Sequence, residues 1–323
     1  MTNPIIYMVV PCYNEQEVLP ETHNRLRIKY DSLVNAGKIS KDSRVVFVND
    51  GSKDATWSLI TEYESEGSYF AGINLSRNRG HQNALMAGLY TVMNYADAVI
   101  SMDADLQDDI DAIDEMVEKF TEGYDVVYGV RSSRDTDTFF KRFTAQTYYK
   151  LLAGLGANLV YNHADFRLMS RRAIHGLMEF GEVNLFLRGV VPMVGYPSCE
   201  VYYKRGQRFA GESKYPLKKM IALAIDGITS LSIEPIRIIT RLGMLVVLVG
   251  IVLLIYSLVQ WGKGNVVPGW SSLMVSIWFI GGMLLMAIGT VGEYIGKIYM
   301  ETKQRPRFIV ADKIGLPADD TDH

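Results

Sequence analysis

Val99–Ile110, VISMDADLQDDI, places four aspartates within seven positions directly behind an apolar run. Val99 to Met102 read as the end of a buried strand, so the carboxylates stand where the chain leaves the core. Asp108 and Asp109 suit the cap and first turn of a following helix, where negative charge meets unpaired backbone N–H groups. Asp103 and Asp105 do not, because alternating carboxylates repel one another unless something cationic sits between them. That pair is either an acidic strand end or part of a metal site, and the rest of the chain has to decide.

Working outward, Ile110, Ile113, Met116, Val117 and Phe120 share one face of a helical pattern, so the segment is a strand followed by a helix. The same alternation fills the first 130 residues. IIYMVV (Ile5–Val10), RVVFV (Arg44–Val48), FAGINL (Phe70–Leu75), AVISM (Ala98–Met102) and DVVYGV (Asp125–Val130) read as strands. Helical patterns over Glu15–Asn35, Thr56–Glu66, Gln82–Tyr95 and Ile110–Glu122 separate them, which predicts an α/β fold with a mostly parallel sheet and crossover helices. Ligands of such sheets bind beyond the carboxyl ends of the strands. The polar motifs fall there: PCYNE, NDGSKD, SRNRGHQN, DADLQ and RSSR follow strands one to five in turn. No Gly-x-Gly-x-x-Gly follows the first strand and no Walker lysine loop is present, which argues against a dinucleotide dehydrogenase and a P-loop ATPase. Asp50 of VNDGS suits an Asp-Gly turn, and its place at a strand end also suits a nucleoside base or ribose. His81 and His163 have no second histidine or cysteine at ligand spacing and read as loop or capping residues.

The chain has 323 residues and is 48% hydrophobic, more than a soluble enzyme needs. The excess lies near the C-terminus. Leu242–Trp261 carries no charge, and about 20 residues rising about 1.5 Å each match a hydrocarbon core of about 30 Å. A second uncharged run extends over Val266–Gly292. The expectation is two membrane spans joined by GKGNVVPG. The basic flanks RIITR and KIYMETKQRPR put both outer ends, and the large N-terminal part, in the cytoplasm. Ile5–Val10 is too short for a signal peptide core. Cys12 and Cys199 permit no disulfide framework and no cysteine-based zinc site. A net charge of −3 is small and by itself says nothing about partners, and no nucleic-acid partner is expected. Locally, Lys204, Arg205, Arg208, Lys214, Lys218 and Lys219 form a basic stripe before the first span, suited to anionic headgroups or phosphate. Phe139–Ala157 and Lys214–Ser232 are aromatic, basic and helically spaced, as expected of helices lying in a membrane interface. The domain reading is a catalytic domain over residues 1–230, a two-helix membrane domain over 231–297 and a cytoplasmic tail over 298–323, its acidic end disordered.

VVPCYNE, VNDGSKD, NLSRNRGHQNALMAGL, DADLQDD, ADFRLMSR and RFAGESKY, in this order, resemble the family two glycosyltransferases of GT-A fold. The closest resemblance is to the polyprenyl-phosphate branch, which includes dolichyl-phosphate mannose synthase and bacterial bactoprenol glucosyltransferases; it covers the chain from about Ile5 to Val310. It implies that Asp103 and Asp105 are the DxD pair. Asp105 and Gln107 would then offer oxygen ligands to Mg²⁺ or Mn²⁺, and Asp103 would touch ribose, metal or metal-bound water. It further implies that Pro11, Tyr13, Glu15 and Asp50 bind the nucleotide sugar, with Tyr13 packing on the base. Arg131 would lie near donor and acceptor phosphates, Arg205, Arg208, Ser213 and Lys214 would receive the lipid phosphate, and Asp165 would lie near the acceptor.

The resulting expectation is an inverting, metal-dependent hexosyltransferase of the cell membrane. It would move a sugar, UDP-glucose being the first donor to test, onto polyprenyl phosphate for cell-envelope glycosylation. A processive polysaccharide synthase would use more spans and a Gln-x-x-Arg-Trp motif. A membrane sensor that binds nucleotide or metal without catalysis would need the acidic cluster but not ADFRL or GESKY. Small residues in GGMLLMAIGTVGEYIG suit packing between chains, and the resemblance suggests a homo-oligomer, a tetramer.

Overall fold

The computed structural model describes residues 3–67, 69–132, 163–182, 187–204, 234–263 and 269–317. Five strands stand where their apolar runs predict: β1 Ile6–Cys12, β2 Arg44–Asn49, β3 Phe70–Leu75, β4 Ala98–Ser101 and β5 Val126–Arg131. Helices α1 Leu19–Asn35, α2 Thr56–Glu66, α3 His81–Val92 and α4 Ala112–Thr121 alternate with them. Then follow β6 His163–Ser170, α5 Arg171–Met178, α6 Leu187–Met193 and β7 Ser198–Tyr203. Two long helices, α7 Glu234–Gly262 and α8 Trp270–Thr302, precede the last strand, β8 Val310–Ile314.

The sheet has eight strands in the order β7-β5-β6-β4-β1-β2-β3-β8. β3, β2, β1 and β4 pair in parallel, and β5 pairs in parallel with β7. β6 runs antiparallel between β4 and β5, and β8 runs antiparallel on the β3 edge. β6 is the departure from a simple crossover sheet: its motif, ADFRLMSR, is a strand that separates β4 from β5. Both faces of the sheet are covered, which is why its strands read as nearly continuous apolar runs. Ile6, Met8 and Val10 point into one core with α1, α2 and α4, while Tyr7 and Val9 point into the other with α3, α5 and α6.

Two element starts differ from the sequence expectation. α1 begins at Leu19, with Pro20 in its first turn, where a missing N–H costs nothing, and Glu15 lies in the preceding turn. α4 begins at Ala112, so Asp108 and Asp109 lie in the loop before it rather than in its first turn. Within the tail, Val310–Ile314 is an ordered edge strand of the sheet, and the acidic end, residues 318–323, lies outside the described residues.

α7 and α8 have 29 and 33 residues, about 43 and 50 Å of helix at about 1.5 Å per residue. Large apolar side chains such as Leu245, Val252, Leu285 and Met286 are exposed along them. Among the described residues one stretch, Phe279–Thr302, is long and apolar enough to cross a bilayer. The expected interfacial helices at Phe139–Ala157 and Lys214–Ser232 lie outside the described residues.

Candidate active site

β4 ends at Ser101, whose hydroxyl donates to the carbonyl of Asp165 at 2.6 Å and so locks β4 against β6. Two residues on, Asp103 enters a half-exposed position beside the first residue of α3. There Nε2 of His81 lies 3.4 Å from Oδ1 of Asp103 and 3.8 Å from Oδ2 of Asp165. Burial, with the charges of Asp108, Asp165 and Asp105, pushes the Asp103 carboxyl up to about 6 against the opposing pull of His81.

The rest of DADLQ is a tight turn. Asp105 Oδ1 accepts the Gln107 amide at 3.2 Å, and Leu106, a buried non-glycine residue, is held at φ 56°. A bulky side chain adopts that conformation only where its surroundings enforce it, and such positions cluster at functional sites. One such restraint is Thr22 of α1, whose hydroxyl donates to the carbonyl of Ala104 at 2.8 Å.

Asp165 alternates with the inward Phe166 on β6 and sits between two guanidinium groups. Arg167 Nη2 donates to its Oδ1 at 2.7 Å, and Arg188 Nη2 donates to its Oδ2 at 3.2 Å. Burial alone would raise this carboxyl, but Arg188, Arg167 and His81 together hold it far below the usual carboxylate range. Arg188 is presented from the first turn of α6, whose Leu187 amide donates to Gln82 Oε1 on α3 at 3.1 Å. Arg167 is 2% exposed, and its Nε and Nη1 have no hydrogen-bond partner among the described residues.

Arg131, at the end of β5, pairs elsewhere. Its Nη2 lies 3.5 Å from Oδ1 of Asp108, and its Nε lies 3.4 Å from the Tyr203 hydroxyl, which itself donates to Asp108. Asp108, expected at a helix cap or first turn, is 4% exposed, and its Oδ2 has no hydrogen-bond partner among the described residues.

At the ends of β1, β2 and β3 an open cleft of about 450 Å³ is lined by Tyr13, Trp57, Asn49, Lys53, Asn74 and Arg77, among others. Tyr13 is 39% exposed, and Pro11 precedes it inside β1. Glu15, half-buried, lies in the turn before α1; its amide donates to Thr56 Oγ1 at 3.0 Å. Asp50 is buried, and both its oxygens accept backbone amides, from Arg79 at 2.6 Å and Gly80 at 2.9 Å. It therefore clamps the loop that delivers His81 to Asp103. Gly51 follows at φ +60°, where a Cβ would meet the backbone of Asn78 at 2.5 Å, so the two loops touch only because this residue has no side chain.

Of the expected site residues, Asp103 and Asp165 converge on His81, Arg131 stands on the neighbouring strand end, Tyr13 lines the cleft, Pro11 and Glu15 flank Tyr13 in sequence, and Asp50 holds the adjoining loop. Arg205, Arg208, Ser213 and Lys214 lie outside the described residues. Sequence reasoning missed three partners. His81 opens α3 and faces two carboxylates instead of serving as a loop or cap, Arg188 comes from a short helix with no motif of its own, and Tyr203 closes on Asp108 from β7. Among the described residues no group of three His, Cys, Asp or Glu side chains is placed to hold a metal ion. An all-oxygen set of Asp103, Asp105 and Gln107 still fits a hard cation that keeps several waters, and concentrated carboxylate charge at Asp103 is what such a cation would relieve.

Residues 7–177 match glycosyl transferase family 2, and residues 234–298 match the GtrB C-terminal hairpin. An uncharacterized glycosyltransferase of Bacillus subtilis (strain 168), YkoT, is 50% identical over 309 residues, covering 96% of this chain and 92% of its own. The bactoprenol glucosyl transferase of Shigella phage SfX is 40% identical over 313 residues, covering 95% of this chain and 99% of its own. Among solved structures, glucosyl-3-phosphoglycerate synthase from Mycobacterium tuberculosis is similar at 17% identity and a TM-score of 0.47, over 71% of this chain and 78% of that one. With acidic strand ends on an α/β sheet, a family match across that sheet and relatives aligned almost end to end, the chain belongs to glycosyl transferase family 2.

Proposed function

We propose that the chain transfers a hexose, glucose from UDP-glucose in the first instance, to polyprenyl phosphate at the cytoplasmic face of the membrane. The observation that carries this reading is the convergence of Asp103 with the Asp165–Arg167–Arg188 cluster at strand ends, next to the cleft that holds Tyr13. The name of the phage relative, bactoprenol glucosyl transferase, supports the same acceptor class and sugar.

In this reading the nucleoside occupies the cleft, with Tyr13 against the base, Pro11 and Glu15 shaping the wall, and Asp50 holding the 77–80 loop beside it. Mg²⁺ or Mn²⁺ held by Asp103, Asp105 and Gln107 would supply counter-charge and Lewis acidity for the departing diphosphate. The acceptor is a phosphate monoester, whose second pKa of about 6 leaves it largely dianionic at neutral pH. An acceptor oxygen forms the new bond to the anomeric carbon as the bond to the nucleoside diphosphate breaks, with inversion and with no proton to remove. Asp165 therefore orients: it fixes Arg167 and Arg188 so that their positive charge faces the reacting phosphates. Arg131, and from the basic stripe Arg205, Arg208, Ser213 and Lys214, would receive the acceptor phosphate.

α7 and α8 would form a two-span hairpin, which the match of residues 234–298 to the GtrB C-terminal hairpin supports. Self-association as a tetramer would bring several sites to one membrane patch. The test supplies labelled nucleotide sugars and undecaprenyl phosphate to the full chain and extracts the product into organic solvent. Label in a lipid monophosphate sugar from UDP-glucose is expected. Label in polymer would favour a processive synthase, and binding without any transfer would favour a sensor.

A further inference from the structure

The register of the sheet edge places three polar residues in one row: Asn49 of β2 is paired with Asn74 of β3, and Asn74 is paired with Asp312 of β8. Their side chains are joined in sequence. Ser52 N–H donates to Asn49 Oδ1 at 3.2 Å, Asn49 Nδ2 donates to Asn74 Oδ1 at 2.8 Å, and Asn74 Nδ2 donates to Asp312 Oδ2 at 3.0 Å. The inner end reaches the cleft. The Ser52 hydroxyl accepts the Asn14 amide at 3.0 Å, and Asn14 Oδ1 accepts the Lys53 amide at 2.9 Å, so this loop and the turn carrying Tyr13 are one unit.

An asparagine side chain can present its oxygen or its nitrogen in nearly the same shape, so a row of two amides has two possible polarities. A carboxylate at the end can only accept, which selects one of them. With Asp312 in place, Asn74 turns its nitrogen outward and its oxygen inward, Asn49 follows, and the Asn49 oxygen is left facing the Ser52 amide. β8 is held in position for this by contacts away from the row. Ile314 covers Gly72, where a Cβ would lie 3.0 Å from its side chain; Arg44 donates to the Gly315 carbonyl; and Ser76 N–H donates to the Ile309 carbonyl at 3.0 Å.

We infer that Asp312, on the strand that follows the apolar hairpin in sequence, is a positioning residue for the nucleotide cleft, acting through Asn74 and Asn49 on the Ser52 loop and the Tyr13 turn. The inference rests on the reading of that cleft as the nucleoside site and adds to it a contribution from the C-terminal tail. A strand that merely covered the sheet edge would affect stability alone. One that sets the polarity of the row affects nucleotide binding as well.

The experiment measures UDP binding in the presence of Mg²⁺ by calorimetry on the detergent-solubilised full chain, with thermal unfolding of each variant alongside. Asp312→Ala is expected to weaken UDP binding about fivefold, roughly the tenfold-per-1.4 kcal/mol scale applied to one lost positioning contact. Asp312→Asn, which has nearly the same shape but can donate as well as accept and so no longer selects the polarity, should also weaken UDP binding, by about two- to fivefold on that scale. Asn74→Leu should resemble Asp312→Ala, and the double variant should be no worse than either alone, because both break one row. The acceptor KM should not move. UDP affinity unchanged in folded Asp312→Ala would overturn the inference, as would parent-level affinity in Asp312→Asn or additive losses in the double variant. Failure of the parent chain to bind any nucleotide would instead remove the donor-site reading beneath it.

Discussion

Asp165 of β6 is held between two arginines from different elements: Arg167, two residues along its own strand, and Arg188, from the first turn of α6. Held far below the usual carboxylate range, it stays ionised wherever the protein is folded and is a poor base. Asp165→Asn, which keeps shape and one acceptor oxygen, should lose about tenfold in kcat, and Asp165→Ala about a hundredfold, a typical cost of misplacing reacting groups. The ratio should stay flat between about pH 6.5 and pH 8.5, well above ordinary carboxylate pKa values. Recovery of the Asn variant as pH rises would identify Asp165 as a base. Removing its charge leaves Arg167 buried without a counter-ion, so both variants should also melt earlier than the parent chain.

Asp105→Asn addresses the cation. The side chain is on a loop, outside both cores, so the fold should survive while Mn²⁺ binding and transfer are lost. Metal titration and turnover are measured on the same preparation; full transfer by the variant in excess chelator would defeat the metal assignment.

Asp50 acts through backbone. Asp50→Ala removes the acceptor of the part-buried Arg79 and Gly80 amides, and at about 0.5–1.5 kcal/mol net for each hydrogen bond the loss should be visible in denaturant unfolding. Because the released loop borders the cleft and carries His81, the donor KM should rise more than the acceptor KM. Equal rises in both would place Asp50 in general stability only.

The parallel half of the sheet was legible because each strand is buried on both faces and so appears as an unbroken apolar run, as in β1 and β2. The position of Asp103, Asp105 and Asp50 beyond strand ends was legible because each follows directly on an apolar run, whereas the use of Asp50 as a clamp on the Arg79 and Gly80 amides was not. β6 was hidden because the face opposite Phe166 and Leu168 carries Asp165 and Arg167, an ion pair that breaks the apolar run expected of a strand covered on both faces. Arg188 and Tyr203 reach the site from elements far along the chain, and no local pattern marks a residue whose role is set by tertiary approach. β8 was hidden by its composition: VADKI is short, half polar and an edge strand, and only its pairing with β3 defines it.

The two-span reading makes a topological prediction. A cysteine in place of Lys263, between α7 and α8, should react with an impermeant thiol reagent outside intact cells, and one in place of Lys303, after α8, should not. Cys199 needs removal for this test, whereas Cys12 is 1% exposed, and burial pushes its thiol well above the ordinary range. The reverse pattern would put the catalytic domain on the wrong side for nucleotide sugars.

The last prediction concerns the acid stability of the β5–β6 edge, where Asp125 is the common partner of three segments. It is 4% exposed and accepts the Ser170 hydroxyl at 2.7 Å and both Nε and Nη2 of Arg172, while its own amide donates to the Pro197 carbonyl at 2.9 Å. Ser170 in turn caps α5 by accepting the Ala173 amide at 3.1 Å, so the carboxylate fixes the cap as well as the strand end. Burial acts to raise the Asp125 carboxyl, but the bonds from Arg172 and Ser170 prevail and hold it below the ordinary value. The sign follows from proton uptake. As pH falls, the unfolded chain protonates this aspartate first, near about 3.9, and the folded chain only at lower pH. The stabilisation is therefore complete above that range and disappears as pH drops through the lower, folded value. Arg172→Ala should lower the Tm by about 2–4 °C at neutral pH, a typical shift for a modest loss in a domain of this size. The gap to the parent chain should hold down to about pH 4 and close only below it, as pH drops through the lower folded value and the carboxylate no longer needs its partner. Thermal unfolding of the two chains across that range is the measurement. A gap that fails to narrow below about pH 4, or widens there, would mean that Arg172 acts through its packing over the Tyr196 ring, 5.1 Å from the centroid, and not through Asp125.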